Sequence, residues 1–378
     1  MKSLFRIFIV LILITFFSCS EGIDPGLEEE FQSAIDSAID STARARGLSA
    51  AVILPNGLTW TGAAGISYEG EKMTPDHMFS VGSIGKTYTA AVALQMAGEG
   101  KFSLDNQIHQ YLPVYENIDS TITIRQLMNQ TSGLADFADN PRYWNDIFGD
   151  PSRVWGLDEM LRDFILEPDY APGEGWNYAT TNYVLLRKMI QDISGSTMTE
   201  IYNNRIFSEF KLANTFAAQD STRPEREVHS WLDLDNDGVY DEFTSWDRTA
   251  FVSSIGSEVW STSADLAAWT DLLVNKRKVI PDQYEDDMFD FHSPCPGEGF
   301  ISGYGLAIVD FNTDMTMGIR AWGHAGNALG FGAVAVYMPD YDVTVALLDN
   351  TEKFEAILPG FANIINVIKK NIPMAVSD

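Results

Sequence analysis

Cysteine is nearly absent from this chain. Its 378 residues hold two, Cys19 and Cys295, which excludes a disulfide-stapled scaffold and a four-cysteine zinc site. Basic residues are scarce as well. Twenty-five Lys and Arg stand against 53 Asp and Glu, for a formal charge of −28. Lys2 and Arg6 are the only charges in the first eighteen residues, so the remainder is more acidic still. Such a surface argues against nucleic acid as a partner and against electrostatic attachment to anionic membranes. No G-x-S-x-G occurs anywhere, so an α/β-hydrolase triad around His324 has no nucleophile elbow to support it. No repeat of 20–50 residues and no low-complexity tract is visible. What is there is ordinary for a folded chain: 45% hydrophobic and 21% charged residues, at a length that suits two domains or one large two-part domain.

The N-terminus reads as a signal. Lys2 and Arg6 precede an apolar run, Ile7 to Phe17, too short to span a bilayer as a lone helix. Phe16-Phe17-Ser18-Cys19 resembles a bacterial lipoprotein processing site, with Phe16 where leucine is usual. That resemblance implies that Cys19 becomes the first residue and carries the lipid. Simple secretion and an uncleaved anchor helix are the alternatives. The expected organisation is a signal peptide over 1–18, a tether over 19–27 and one domain over 28–378, periplasmic or at the cell surface. Acyl chains need no basic patch, so a lipid tether suits the acidic surface. Cys295, in the turn-rich Ser293-Pro294-Cys295-Pro296-Gly297, reads as a bland loop thiol.

Along the mature chain, Phe31, Ile35, Ala38 and Ile39 recur at helical spacing within about 28–46, with Gly47 ending the run. Ala50–Leu54 and Leu58–Thr61 flank Pro55-Asn56-Gly57, a hairpin signal. A helix is predicted over about 83–98 and another over 182–194, with Leu185, Leu186, Met189, Ile190 and Ile193 on one face. Gly332–Met338 and Val343–Leu348 read as strands around a Pro339–Asp342 turn, before a helix over about 359–370. The economical fold is α/β of the α+β kind. An antiparallel sheet built from both chain ends (about 28–104 and 251–378) is flanked by helices and carries a mostly helical insert (about 105–250).

Ser83-Ile84-Gly85-Lys86 fits S-x-x-K. Three residues apart on a helix, the two side chains share a face, which brings an amine within reach of a hydroxyl. A helix start favours the alkoxide and disfavours an ammonium, and desolvation lowers the lysine pKa further, so that it can act as base. The motif alone is weak, since about one match is expected by chance in such a chain. A second exists at Ser208-Glu209-Phe210-Lys211. Context favours Ser83, which follows Gly82 and opens an alanine-rich helix. The plain alternative is a helix cap with a surface lysine.

Further segments carry a family resemblance. Phe79-Ser80-Val81-Gly82-Ser83-Ile84-Gly85-Lys86 is similar to the nucleophile segment of the serine β-lactamase-related hydrolases. The branch in question covers class C β-lactamases, D-Ala-D-Ala carboxypeptidases, D-aminopeptidases and esterases. Leu127-Met128-Asn129-Gln130-Thr131-Ser132-Gly133-Leu134 resembles the family's Leu-Leu-x-His-Thr-Ser-Gly-Leu, with Gln130 for histidine. Pro172-Gly173, then Trp176 to Tyr183, resembles its Pro-Gly…Tyr-Ser-Asn segment, with Thr180 in the asparagine position. Ser261-Thr262-Ser263-Ala264-Asp265-Leu266 and Gly323-His324-Ala325-Gly326 follow in the family's order.

The resemblance implies a serine hydrolase that cleaves an amide or ester, whether a D-amino-acid peptide, a β-lactam or a small ester. The substrate would be a small molecule or peptide, cell-wall fragments included. Ser83 would form an acyl-enzyme that water resolves. Lys86 and Tyr178 would share proton transfer, with a nearby ammonium depressing the phenol. Strict Y-x-N matches at Tyr115, Tyr143 and Tyr202 lack the preceding Pro-Gly, and Tyr143 is the chief rival. His324 would orient the substrate or the Tyr178 proton network. The N–H groups of Ser83 and Asn327 would form the oxyanion hole, beside Thr180 and Gly326. Ala325 replaces a threonine whose hydroxyl often holds the substrate carboxylate; Arg320 is the candidate to compensate. No cofactor is implied for catalysis.

Asp233, Asp235, Asp237 and Asp241, with Gly238, match the first nine positions of a calcium loop. Thr244 stands where the bidentate glutamate belongs, and an Asp-rich turn is the plain alternative. Bound calcium would staple a surface loop. The competing function is a binding protein of the same fold without turnover, motivated by Gln130, Thr180 and Ala325.

Overall fold

The computed structural model describes residues 22–150, 153–222, 224–233, 237–243, 259–292, 294–296 and 299–375. The signal segment and Cys19 lie outside the described residues. Thirteen strands are described. They are β1 (Gly47–Ile53), β2 (Thr59–Tyr68), β3 (Glu71–Lys72), β4 (Phe79–Ser80), β5 (Thr215–Ala217), β6 (Ser230–Leu232), β7 (Asp241–Phe243), β8 (Val259–Ser261), β9 (Ile301–Tyr304), β10 (Val309–Phe311), β11 (Trp322–Ala328), β12 (Phe331–Met338) and β13 (Val343–Asp349). Eight of them form one antiparallel sheet in the order β3-β2-β1-β13-β12-β11-β10-β9. The N-terminal strand β1 thus pairs with the C-terminal β13, Ala51 opposite Ala346, and both chain ends build one sheet, as expected.

The two faces of that sheet differ in side-chain size. Leu48, Ala50, Val52, Val334, Val336, Val345 and Leu347 face the helices Pro25–Asp40 and Ile357–Asn371 in one core cluster. Ala51, Ala333, Ala335 and Ala346 point the other way, into the second cluster. This is the period-two alternation of strands covered on both sides, so β1 and β13 are buried along their whole length. The alanine face admits helix Ser263–Thr270 closely enough for the Ser49 and Ser263 hydroxyls to bond at 2.9 Å.

Helix Gly85–Gly98 runs through the larger cluster and is buried on nearly every side. Helix Thr181–Ser194 packs beside it with Leu185, Leu186, Met189 and Ile190 buried. Two expectations need correction. The first helix spans Pro25–Asp40 rather than about 28–46. Asp24 caps it by accepting from Gly26 and Leu27 N–H, so it begins inside the segment read as tether; Gly47 opens β1 instead of closing a helix. The middle is also less helical than expected. Beyond Phe207 it holds β5, β6 and β7, each three residues long, too short for a periodicity to declare. Cys295 lies in a loop, as expected, and is buried there, with its thiol on the His292 carbonyl at 3.3 Å. Among the described residues no helix is long and apolar enough to cross a membrane.

The chain just past β13 ties the sheet to the β6–β7 pair. The Asn350 side chain is fully buried and donates to the carbonyls of Ile66, Ser67 and His229 at 3.2, 3.0 and 2.9 Å. The Asn350 backbone carbonyl accepts from Trp231 N–H at 2.9 Å. Asn350→Ala leaves the three side-chain acceptors short of a donor and is expected to cost about 2–4 kcal/mol. Urea unfolding with an unchanged slope is the check; a midpoint equal to the parent's would refute it.

Candidate active site

Ser83 sits in the 3-10 turn Gly82–Ile84 that leads into helix Gly85–Gly98. The turn and the three-residue spacing place Lys86 Nζ 3.0 Å from Ser83 Oγ. Lys86 is 3% exposed. Its amine lies over the faces of Tyr178 and Tyr183, 4.9 and 5.8 Å from the ring centroids, and 3.5 Å from Thr180 Oγ1. Burial brings its pKa from the ordinary lysine value down to about 7. Asp136 opposes that shift and the buried Arg187 reinforces it. The base expected from spacing is thus placed and tuned by residues far away in sequence.

A buried polar clamp shapes the Tyr178 segment. Gln130 adopts φ +67° and is fully buried. Its Oε1 accepts from Ala179 N–H at 3.1 Å and from Asn182 Nδ2 at 2.5 Å, and its backbone carbonyl accepts from Asn177 N–H at 3.1 Å. Ser132 Oγ donates to Asn182 Oδ1 at 2.6 Å. Asp136 Oδ2 accepts from Thr180 N–H at 2.7 Å. A glutamine therefore serves well where the family pattern has histidine, because the position needs an acceptor with reach. Asp136, Arg187 and Tyr304 are the residues that reading the sequence missed. Asp136 directly continues the Gln130-to-Leu134 segment and was findable. The other two carry no local signal.

His324 projects from β11 and is 3% exposed. Its Nδ1 bonds the Ala325 carbonyl, which can only accept, so the ring proton sits on Nδ1. Nε2 then accepts from the Tyr304 hydroxyl at 3.2 Å. Burial and the nearby Lys86 push its pKa down to about 3, which keeps it neutral at working pH. Its ring tilts toward Tyr178, centroids 6.3 Å apart. Backbones meet closely here. A Cβ on Gly326 would stand 2.1 Å from the Val81 carbonyl and 2.9 Å from Ser83 N, and one on Gly82, at φ +53°, 2.7 Å from Asn327 N. Only glycines let β11 approach the nucleophile turn so closely, and the approach brings the backbones of Ser83 and Asn327 to the same spot.

A pocket of about 160 Å³ opens beside Ser83. Tyr178, His324, Ala325, Gly326 and Asn327 line it with Phe300, Ile301, Val309 and Phe354.

A family model described as Beta-lactamase matches residues 31–360. The chain belongs to the beta-lactamase family. Among relatives of this β-lactamase-family chain, protein flp of Staphylococcus aureus is 23% identical over 74% of the chain, and penicillin-binding protein 4* of Bacillus subtilis is 24% identical over 79% of it and 67% of its own length. The chain spans about half, 54%, of the length of protein flp. A D-stereospecific amidohydrolase from Streptomyces superposes with a TM-score of 0.74 at 26% identity, over 87% of this chain and 97% of that one. Family and neighbours together point to a serine hydrolase.

The rival residues fall away from this β-lactamase-family site. Tyr143 is a core aromatic, edge-on to Phe137, Trp144 and Phe164. Tyr115 donates to Asp158, and Tyr202 pairs with Thr89. Ser208 and Lys211 lie exposed in a turn. Arg320 does not compensate for Ala325: it is exposed and donates twice to Asp340, at 2.8 and 2.6 Å. In the acidic loop, Asp233 Oδ2 accepts from Gly238 N–H, Asp237 Oδ1 accepts from Val239 N–H, and Asp241 opens β7. Asp235 lies outside the described residues, and no group of three or more metal-ligating side chains occurs among the described ones.

A lysine base titrating at about 7 must be neutral to work. Phosphonylation of Ser83 by a fluorophosphonate, with loss of fluoride, should therefore slow as pH falls through about 7, while neutral His324 contributes nothing to that limb. Asp136→Asn removes the group that raises the Lys86 pKa, so the limb should move to lower pH. A limb that stays put, or moves up, would count against Lys86 as the base.

Proposed function

We propose that this protein is a serine hydrolase that opens an amide or ester through a Ser83 acyl-enzyme, and that its acyl pocket takes an apolar group without a carboxylate anchor. One observation carries the reading: a buried lysine, titrating near neutrality, 3.0 Å from a serine hydroxyl at a helix start. Neutral Lys86 takes the Ser83 proton as Oγ attacks the carbonyl carbon. The N–H groups of Ser83 and Asn327 hold the developing oxyanion, each such donor being worth about 2.7–4 kcal/mol. Tyr178, over whose ring the Lys86 amine sits, relays the proton to the leaving amine or alkoxide. Water then attacks the acyl-enzyme, and Lys86 takes its proton. This sequence needs no metal.

The pocket's composition supports the substrate class. Ala325 offers no hydroxyl, Arg320 is engaged by Asp340, and none of the described residues lining the pocket is a cation. A D-amino-acid amide or a small ester suits such a site better than a peptide whose terminal carboxylate must be held. The D-stereospecific amidohydrolase named above is consistent with that class. Gln130 and Thr180, which motivated a binding role without turnover, bond into the site rather than breaking it.

Intact mass after fluorophosphonate treatment tests the proposal, with Ser83→Ala alongside. A single adduct that maps to Ser83 and is lost in the variant is expected. A folded protein that takes no adduct would favour the binding role.

We also propose that Cys19 carries a lipid that tethers the protein outside the inner membrane, on the strength of Lys2, Arg6, the Ile7–Phe17 run and Ser18. Metabolic incorporation of an alkynyl fatty acid, abolished by Cys19→Ser, is the expected result. Equal labelling of both forms would refute it.

A further inference from the structure

Phe354 enters the Ser83 pocket from an uncommon backbone. Lys353 and Phe354 are consecutive non-glycine residues at φ +63° and +57°, in the turn Glu352–Phe354 between β13 and the C-terminal helix. Such a conformation is disfavoured for side chains with a Cβ and persists where the surroundings impose it. The group that imposes it here is Asp349, the last residue of β13, fully buried between β1 and β12. Its Oδ2 accepts from Thr351 Oγ1 at 3.4 Å and from Ala356 N–H at 3.3 Å. The N–H groups of Gly332 and Ile357 also face this carboxyl and favour its charged form. One buried side chain therefore holds the turn before Glu352 and after Glu355, so that residues 352–355 must loop out. On the far side, Glu355 accepts from the Tyr240 hydroxyl at 3.2 Å.

Gly332 leaves the room. A Cβ there would stand 2.3 Å from Asp349 Oδ1 and 3.1 Å from the Phe354 ring. Gly332 is also the cross-strand partner of Asn327, so the ring is set next to the oxyanion donors. Phe354 shares the pocket with Phe300, Ile301 and Val309 from the β9–β10 side. The volume, about 160 Å³, is close to the roughly 150 Å³ of an apolar cavity that accepts benzene.

We propose that Phe354 is the specificity-determining wall of the acyl pocket, selecting an aryl-bearing acyl group, and that Asp349 is the positioning residue that holds the left-handed turn presenting it. This rests on Ser83 as the nucleophile of that pocket. Other residues of the pocket set the chemistry; Phe354 sets the size and flatness of the acyl group.

The test compares kcat/KM for p-nitrophenyl phenylacetate and p-nitrophenyl acetate on the full chain. The parent should prefer the phenylacetate. Phe354→Ala should reduce that preference by roughly tenfold or more, mainly through KM. Asp349→Ala, which leaves the Phe354 ring in the chain but frees its turn, should reduce it in the same direction. Lys353→Gly keeps the φ +63° backbone without the Cβ penalty; it should retain the preference and raise Tm. An unchanged preference in Phe354→Ala overturns the wall, and an unchanged preference in folded Asp349→Ala overturns the positioning role. Should Asp349→Ala fail to fold, Thr351→Val removes one of the carboxyl's donors and is read in its place, an unchanged preference again overturning the role. Calorimetry of phenylacetamide binding to Ser83→Ala separates this inference from the hydrolase reading. Binding that is lost on adding Phe354→Ala, in a protein whose parent never reacts at Ser83, sinks the hydrolase and keeps the wall. Binding indifferent to Phe354 sinks the wall, whatever Ser83 does.

Discussion

A lysine amine stripped of water beside a serine hydroxyl is the constraint from which the rest of this structure follows. Lys86 is worth nothing as a base while it holds its proton firmly, and only desolvation brings its pKa to about 7. Desolvation in turn demands that helix Gly85–Gly98 be covered on nearly every side. The sheet, helix Thr181–Ser194 and the Tyr178 segment supply that cover. Asp136 and Arg187 then adjust the balance in opposite directions. The same burial keeps His324 neutral, and the Ala325 carbonyl fixes its tautomer, so its Nε2 accepts from Tyr304.

The departures from the family pattern gain meaning from this arrangement. Gln130 joins three backbone or side-chain donors of the 177–182 segment, so a polar acceptor persists there without the imidazole. Thr180 keeps a hydroxyl 3.5 Å from the amine. Ala325 is different, because nothing replaces the hydroxyl it lacks. Among the described residues lining its pocket there is no Lys or Arg, and the nearest cation by sequence, Arg320, is held by Asp340. Departures that would have disabled the proton chemistry are repaired, whereas the one that affects substrate anchoring is left open.

Much of the fold was legible because its signals are short-range. Asn56-Gly57 marks the β1–β2 turn, the final strands alternate in step with the pleat, and the 181–194 helix shows its apolar face. The first helix was misplaced by several residues, because it stops at Ser41, whose N–H and hydroxyl bond back to the Ser37 carbonyl, rather than at a capping glycine. The three-residue strands β5, β6 and β7 were invisible, since a strand that short has no pattern apart from its partners. Of the candidate site, Ser83, Lys86, Tyr178, His324 and Gly326 converge on one pocket or its wall. Tyr304 and Arg187 sit among ordinary core residues in the sequence, and nothing local distinguishes them.

The sequence alone determined which serine and lysine share a helical turn, the order of the motifs around them, and the acidity that argues against polyanionic partners. Those properties depend on spacing and composition, which are local or additive. Only the tertiary structure decided that Lys86 titrates near neutrality, that Arg320 is spoken for, that the proton of His324 is on Nδ1, and that Phe354 closes the pocket from a turn held by Asp349. Each of these requires water to be excluded by segments far apart in sequence, or a hydrogen bond whose geometry only the folded backbone sets, and that information exists only once the chain has packed.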